Sequence, residues 1–175
     1  MRKFLIAALF AIISSGASAA PQQAKVVVVD IQQVLESSTA AKDLKTQLEA
    51  KRQEYQKQIT AKEDALKNQE TELSKQKTVL SAADLEKKKK SFVDEVEKVR
   101  KDVQNKRLSL DSAYKKAVGD IQTNVQKIIE EMATAQGFNL AIPTSQLIYA
   151  QKDMDITKDV AAKLNQRLPK VALKF

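Results

Sequence analysis

The stretch LSKQKTVLSAADLEKKKKSF, residues 73–92, decides how the chain is arranged. Ser81, followed three residues later by Asp84 and then by Leu85, is the Ser-x-x-Asp/Glu capping box that opens a helix. Before it, apolar residues fall at Leu44, Leu48, Tyr55, Ile59, Leu66, Leu73 and Leu80, in steps of four and seven. After it they fall at Leu85, Phe92, Val96, Val99, Val103, Leu110, Tyr114, Ala117, Ile121, Val125, Ile128 and Met132, in steps of three, four or seven. Each series is the stripe of a coiled-coil helix. Residues that face each other in an antiparallel helix pair have position numbers of constant sum. Leu80 with Leu85, Leu73 with Phe92, Leu66 with Val99, Tyr55 with Leu110, Leu48 with Ala117 and Leu44 with Ile121 all sum to 165. A single straight rod has no need of that mirror symmetry. The sequence therefore predicts a helical hairpin from Lys42 to Gln136, turning at Ala82 and Ala83. Ile59 is the exception, because its partner would be Lys106.

No Gly or Pro lies between Pro21 and Gly119, so nothing inside either arm forces a break. From Leu44 to Leu80 an arm is roughly 55 Å long. Its stripe is thin, since Lys62, Gln69 and Gln76 are polar where a second apolar row would run. Such an arm is expected to splay or bend easily.

Short elements flank the hairpin. The β-branched run Val26–Val29 reads as a buried strand. Asp30, with Gln33 three residues on, caps a short helix through Ile31, Val34 and Leu35, and Ser37, Ser38 and Thr39 interrupt it. Beyond the hairpin, Gly137 stands where a left-handed C-cap is expected. Phe138–Ile142 alternates as a second strand ended by Pro143, and Gln146–Ala150 offers a third. Asp155 or Thr157 caps a last helix carrying Val160, Ala161, Leu164 and Leu168, which Pro169 stops. The two ends together hold only about 49 residues, below the size at which a core usually stands alone. Three short strands would also leave open edges. The expected architecture is α+β, mostly α: a long hairpin projecting from a small strand-containing body that several chains complete together. Body contacts are assigned to Val27, Val29, Phe138, Leu140, Ile142, Leu147 and Tyr149.

Met1 to Ala19 has the plan of a secretory leader: Arg2 and Lys3, an apolar run from Phe4 to Ile13, and Ala17-Ser18-Ala19 before the cut. The apolar run is shorter than the roughly 20 residues that span a bilayer. Cleavage after Ala19 leaves 28 basic against 22 acidic residues, a net charge of +6 on the mature chain. Basic helices invite a nucleic-acid reading, but export and the absence of a recognised motif oppose it. Acidic polypeptides or anionic membrane surfaces suit the charge better. The chain has no cysteine and no histidine, and only 3 glycines, so disulfides, imidazole catalysis and a phosphate-cradling loop are all unavailable. The composition argues against an enzyme and implies no cofactor or metal.

The segments VVVVDIQQVL (residues 26–35) and FNLAIPTSQLIYAQKDMDITKDVAA (residues 138–162) resemble the Skp/OmpH family of periplasmic chaperones. Asp155-Ile156-Thr157 with Asp159-Val160, shortly after Tyr149-Ala150, is the most specific piece. The middle resembles the family only in being a charged hairpin of similar length. The resemblance implies a homotrimer whose strands form a central barrel-like body, with three hairpin tentacles around a cavity. It further implies binding of unfolded outer-membrane proteins, protection from aggregation and delivery for insertion without ATP. A lipopolysaccharide contact is a further possibility raised by the resemblance.

Candidate contacts for client or anionic surface are Lys75, Lys77 and the run Lys87, Lys88, Lys89 and Lys90. These six make the tip the most basic part of the hairpin. Four consecutive lysines span more than one helical face, so at least two point away from the stripe. The plain alternative is a solvated surface, with Asp84 and Glu86 adjacent. Tyr55, Leu80 and Phe92 can touch clients when an arm splays, though stripe residues ordinarily pack within the hairpin. The segment Lys170–Phe175 ends in an aromatic residue, resembling the last strand of outer-membrane barrels. Two other classes compete: a basic protein of anionic membranes or lipopolysaccharide, and an exported coiled-coil spacer.

Overall fold

The computed structural model describes residues 24–175; the leader reading for residues 1–19 lies outside them. Strand β1 is Val26–Val29, helix α1 Ile31–Ser37, helix α2 Thr39–Gln76 and helix α3 Ala82–Gln136. Strand β2 is Leu140–Pro143 and helix α4 is Thr157–Arg167, with 3-10 turns at Thr144–Gln146 and Lys152–Met154 between them. The expected fold class is observed: a long helical hairpin on a small α/β body.

Local chemistry sets most boundaries. The Asp30 carboxylate accepts the Gln33 N–H at 2.8 Å and starts α1. Ser38, fully buried, ends α1 and starts α2: its hydroxyl accepts from the Ala41 N–H at 3.1 Å and donates to the Leu35 carbonyl at 2.9 Å. This cap makes the first arm begin at Thr39, three residues before the expected start. The connection between the arms is Lys77–Ser81, and Ala82 and Ala83 already lie in α3. Ser81 caps α3 as its motif predicts, accepting the Asp84 N–H at 3.2 Å and donating to the Asp84 carboxylate at 2.6 Å. Gly137 ends α3 at φ 72°, a left-handed conformation that suits glycine, and its N–H reaches the Ala133 carbonyl at 2.8 Å.

Because α2 leads out and α3 leads back, the chain returns to the body beside its own beginning. β2 therefore lies parallel to β1, with Val26 opposite Leu140 and Val29 opposite Pro143. The hairpin acts as the long crossover that a parallel pair requires. Val27 and Val29 of β1 join Val34, Leu44, Ile121, Val125, Ile128, Met132, Phe138, Val160 and Leu164 in one buried cluster. The core thus sits where the roots of α2 and α3 meet the body.

The third strand expected at Gln146–Ala150 does not form. Thr144–Gln146 is a 3-10 turn, and Ile148 and Tyr149 are 107% and 80% exposed. The free edge of β1 is taken instead by Asp155, bridged to Val28, and by the Ile156 N–H, which donates to the Val28 carbonyl at 3.0 Å. With that edge filled, the alternating residues Leu147 to Tyr149 cannot pair with β1. The cap of α4 also differs in detail from expectation. Thr157 is the first helical residue, and the Asp155 carboxylate accepts its N–H at 2.8 Å and also its hydroxyl proton. The Thr157 oxygen in turn accepts the Asp30 N–H at 2.8 Å, tying α4 to the start of α1.

Candidate functional site

The hairpin is closed at its root and loosely held further out. Leu44 and Leu48 of α2, with Ala113, Ala117 and Ile121 of α3, are buried, whereas Ile59, Leu66, Leu73, Leu80, Leu85 and Phe92 are only half-buried. The stripe residues beyond the root leave part of their apolar surface open to solvent. Toward the tip, polar contacts join the apolar ones between the arms. Lys62 reaches Asp102 at 2.7 Å, and the Lys88 ammonium donates to the Gln76 side-chain oxygen. Both pairs sum to 164, one less than the apolar register. Lys106, opposite Ile59 by that register, keeps a side chain only 16% exposed and turns its ammonium to Asp102 at 2.7 Å. A long aliphatic stem thus fills the place of the missing apolar partner.

Hydrogen bonds from Lys106 and then Lys62 hold the Asp102 carboxyl below the usual carboxylate range. A depressed carboxylate stabilises the fold fully above the ordinary Asp pKa of about 4 and loses that contribution as pH falls through its folded value. Acidification from pH 6 to about pH 3 is therefore expected to lower the urea midpoint of the native chain more than that of Asp102→Asn. Equal losses in the two chains would show that this cross-arm contact contributes nothing.

The six tip lysines do not form one uniform patch. Lys75 pairs with Glu72 at 2.8 Å, Lys89 with Glu86 at 2.7 Å, and Lys88 is engaged across the hairpin. Lys77, Lys87 and Lys90 form no ion pair among the described residues and are exposed. Phe92 and Leu73 line a shallow hollow of about 240 Å³ beside Gln76 and Lys88. Tyr55 is not part of this region. It lies nearer the root, 6.2 Å from the Phe175 ring and edge-on to it.

A larger groove of about 1270 Å³ lies on one side of the hairpin root. Leu44, Leu48, Leu110, Val118 and Ile121 floor it, Tyr114 and Leu108 stand at its side, and Lys42, Lys45, Arg52 and Arg107 surround it with Glu36 and Asp111. Leu108 and Tyr114 are 56% and 42% exposed, so apolar surface opens directly to solvent. Sequence reading left this basic rim unnoticed. Its signal is the step of seven from Lys45 to Arg52 and from Arg107 to Tyr114, which sets each pair on one helix face beside the stripe. Chemically, an apolar floor under a basic rim suits weak contacts with apolar groups and with acidic side chains. Among the described residues no cluster of acidic side chains is placed to hold a metal ion, and no helix is long and apolar enough to cross a membrane.

The molecule is thus a long hairpin on a two-stranded body, with an apolar groove on one side of the hairpin root. The family model for outer membrane protein (OmpH-like) matches residues 25–164, and the chain belongs to that family. It is 26% identical over 171 residues to the chaperone protein Skp of Yersinia enterocolitica, an alignment covering 91% of this chain and 97% of that one. The fold is shared with an OmpH-like protein of Caulobacter crescentus CB15 at a TM-score of 0.78 and 20% identity, over 87% of this chain and 90% of the other. Membership of this family supports a chaperone role.

Proposed function

We propose that this chain is an ATP-independent holding chaperone of the periplasm. It binds unfolded outer-membrane proteins between hairpin tentacles, keeps them from aggregating and passes them on for insertion. The observation that carries this reading is the groove at the hairpin root, apolar beneath and basic around, continued outward by half-buried arms. Unfolded barrel strands expose alternating apolar residues and aggregate readily. Many weak contacts on a compliant surface retain such a chain without fixing one conformation, and release then needs no nucleotide.

In this reading residues 1–19 are a leader cleaved after Ala19, residues 42–136 form the tentacle, and residues 20–41 with 137–175 form the body of a homotrimer. The exposed Leu140, Ile148 and Tyr149 support the last point, since apolar side chains left open on the body suit a contact between chains. Val27, Val29 and Phe138 are buried within the single chain and support the body from inside. Of the tip lysines, Lys77, Lys87 and Lys90, unpaired among the described residues, suit acidic client segments, and the half-buried Phe92 and Leu80 belong to the same part of the hairpin.

Purified residues 20–175 are expected to keep a urea-diluted outer-membrane barrel protein soluble at about one trimer per client without nucleotide, with sedimentation run in parallel. A folded protein that suppresses no aggregation would overturn the holding function, and a monomer would overturn the trimer. Those three exposed lysines also favour a second reading, contact with anionic lipid or lipopolysaccharide. Replacing Lys87 through Lys90 by Gln separates the two. Loss of client holding supports client contact at the tip, and loss of binding to anionic vesicles alone supports the membrane reading.

A further inference from the structure

Beyond α4 the chain does not trail away from the molecule. Residues 171–175 lie against α2, and their burial alternates: Val171 is 7% exposed, Ala172 exposed, Leu173 half-buried, Lys174 exposed, and Phe175 set against Tyr55. A period of two is that of an extended chain laid on a surface. The backbone of this segment is read by one side chain. The Gln47 amide donates to the Val171 carbonyl at 2.8 Å and accepts the Leu173 N–H at 3.0 Å. Its second N–H goes to the Asp43 carboxylate at 2.6 Å, which sets the amide with its nitrogen toward Val171 and its oxygen toward Leu173. Further along α2, the Lys51 ammonium stands 4.9 Å from the Tyr55 ring centre and 5.2 Å from that of Phe175, while Lys106 approaches Tyr55 from α3 at 5.2 Å. Cation–π attraction of this kind favours an aromatic guest over an aliphatic one.

We propose that Gln47, Lys51, Tyr55 and Lys106 form a receptor for an extended polypeptide segment with apolar residues at alternate positions and an aromatic residue at its end. The segment Val171–Phe175 is a resident ligand that an unfolded client displaces. Two properties make the site suited to exchange. In the segment Gln47 hydrogen-bonds only backbone atoms, which every polypeptide offers, so the site asks for a pattern and not for one sequence. Phe175 remains 58% exposed even when docked, so its hold is partial. Displacement uncovers Tyr55 and the surface under Val171, and the arm gains apolar contact area only when a client is there to cover it. The client half of this inference rests on the holding function proposed above.

The test uses residues 20–175 throughout and a fluorescein-labelled peptide KVALKF as the probe. Leu173→Pro removes the N–H that Gln47 accepts while leaving every receptor residue in place. Because a tethered ligand competes at high effective concentration, Leu173→Pro is expected to bind the peptide about tenfold more tightly than the native chain in fluorescence anisotropy. Adding Gln47→Ala to that variant should return the affinity to the native level. Equal binding by the native and Leu173→Pro chains, or a gain that survives Gln47→Ala, would overturn the receptor. Should Leu173→Pro lose helicity by circular dichroism, Phe175→Ala decides: tighter peptide binding supports the site, and unchanged binding overturns it. Suppression of client aggregation without peptide capture would remove this site alone. Peptide capture without suppression would remove the holding function and leave a site that only the chain itself uses.

Discussion

Replacing Leu44 by Ala is expected to destabilise the protein by about 3 kcal/mol, measured by urea unfolding followed by circular dichroism. Leu44 is 2% exposed and belongs to the cluster that joins the hairpin root to the body, together with Ile121, Val34 and Leu164. Its removal leaves a cavity that four rigid helices cannot readily close, which places the cost in the middle of the usual range for a buried leucine. The same change at Leu66 or Leu73, on the same stripe but half-buried, should cost less than about 1.5 kcal/mol, because less apolar area leaves water. A hairpin equally sensitive at Leu44 and Leu73 would contradict the gradient of packing from root to tip.

Replacing Thr157 by Val should cost about 2 kcal/mol, although shape and volume are nearly preserved. The hydroxyl, in a residue only 3% exposed, accepts the Asp30 N–H and donates to Asp155, so it joins β1, α1 and the start of α4 at one atom. Valine leaves the Asp30 N–H without that acceptor and the Asp155 carboxylate without one of its donors. Thr157→Ser, which keeps the oxygen, is expected to recover more than half of the loss in the same unfolding experiment. A Val variant as stable as the native chain, with the loss falling on the Ser variant instead, would show that the methyl group, and not the hydrogen bonds, holds the joint.

The hairpin was legible in the sequence because everything that specifies it is local or repetitive. The steps of three, four and seven set the stripe, Ser81 marks the second helix, and the constant sum aligns the arms to within one position of the observed cross-arm pairs. The missing third strand was not legible. Leu147 to Tyr149 alternates well enough, but a strand exists only when a ladder edge is free, and Asp155 occupies the one in question. No period in the sequence reveals which of two segments wins an edge. The tip lysines were found by composition, yet their division into paired and unpaired members depends on side-chain reach across the hairpin. The groove at the root escaped notice because Lys45, Arg52 and Arg107 look like ordinary solvated positions until Tyr114 and Leu108 are seen opening beside them. Gln47 was equally hidden: a glutamine on a helix surface carries no signal that distant backbone will come to meet it.

The parallel pairing of Val26–Val29 with Leu140–Pro143 also dictates an order of events as the protein forms. Each arm can coil from contacts a few residues apart, on the fast timescale of helices. The two strands, by contrast, are separated by the whole hairpin, and closing so long a loop costs entropy that only completed arms can offset. A chain that emerges beginning first therefore exposes β1 unpaired until Leu140 arrives. The hairpin is built before the body that carries it, and the body waits on the last fifth of the chain.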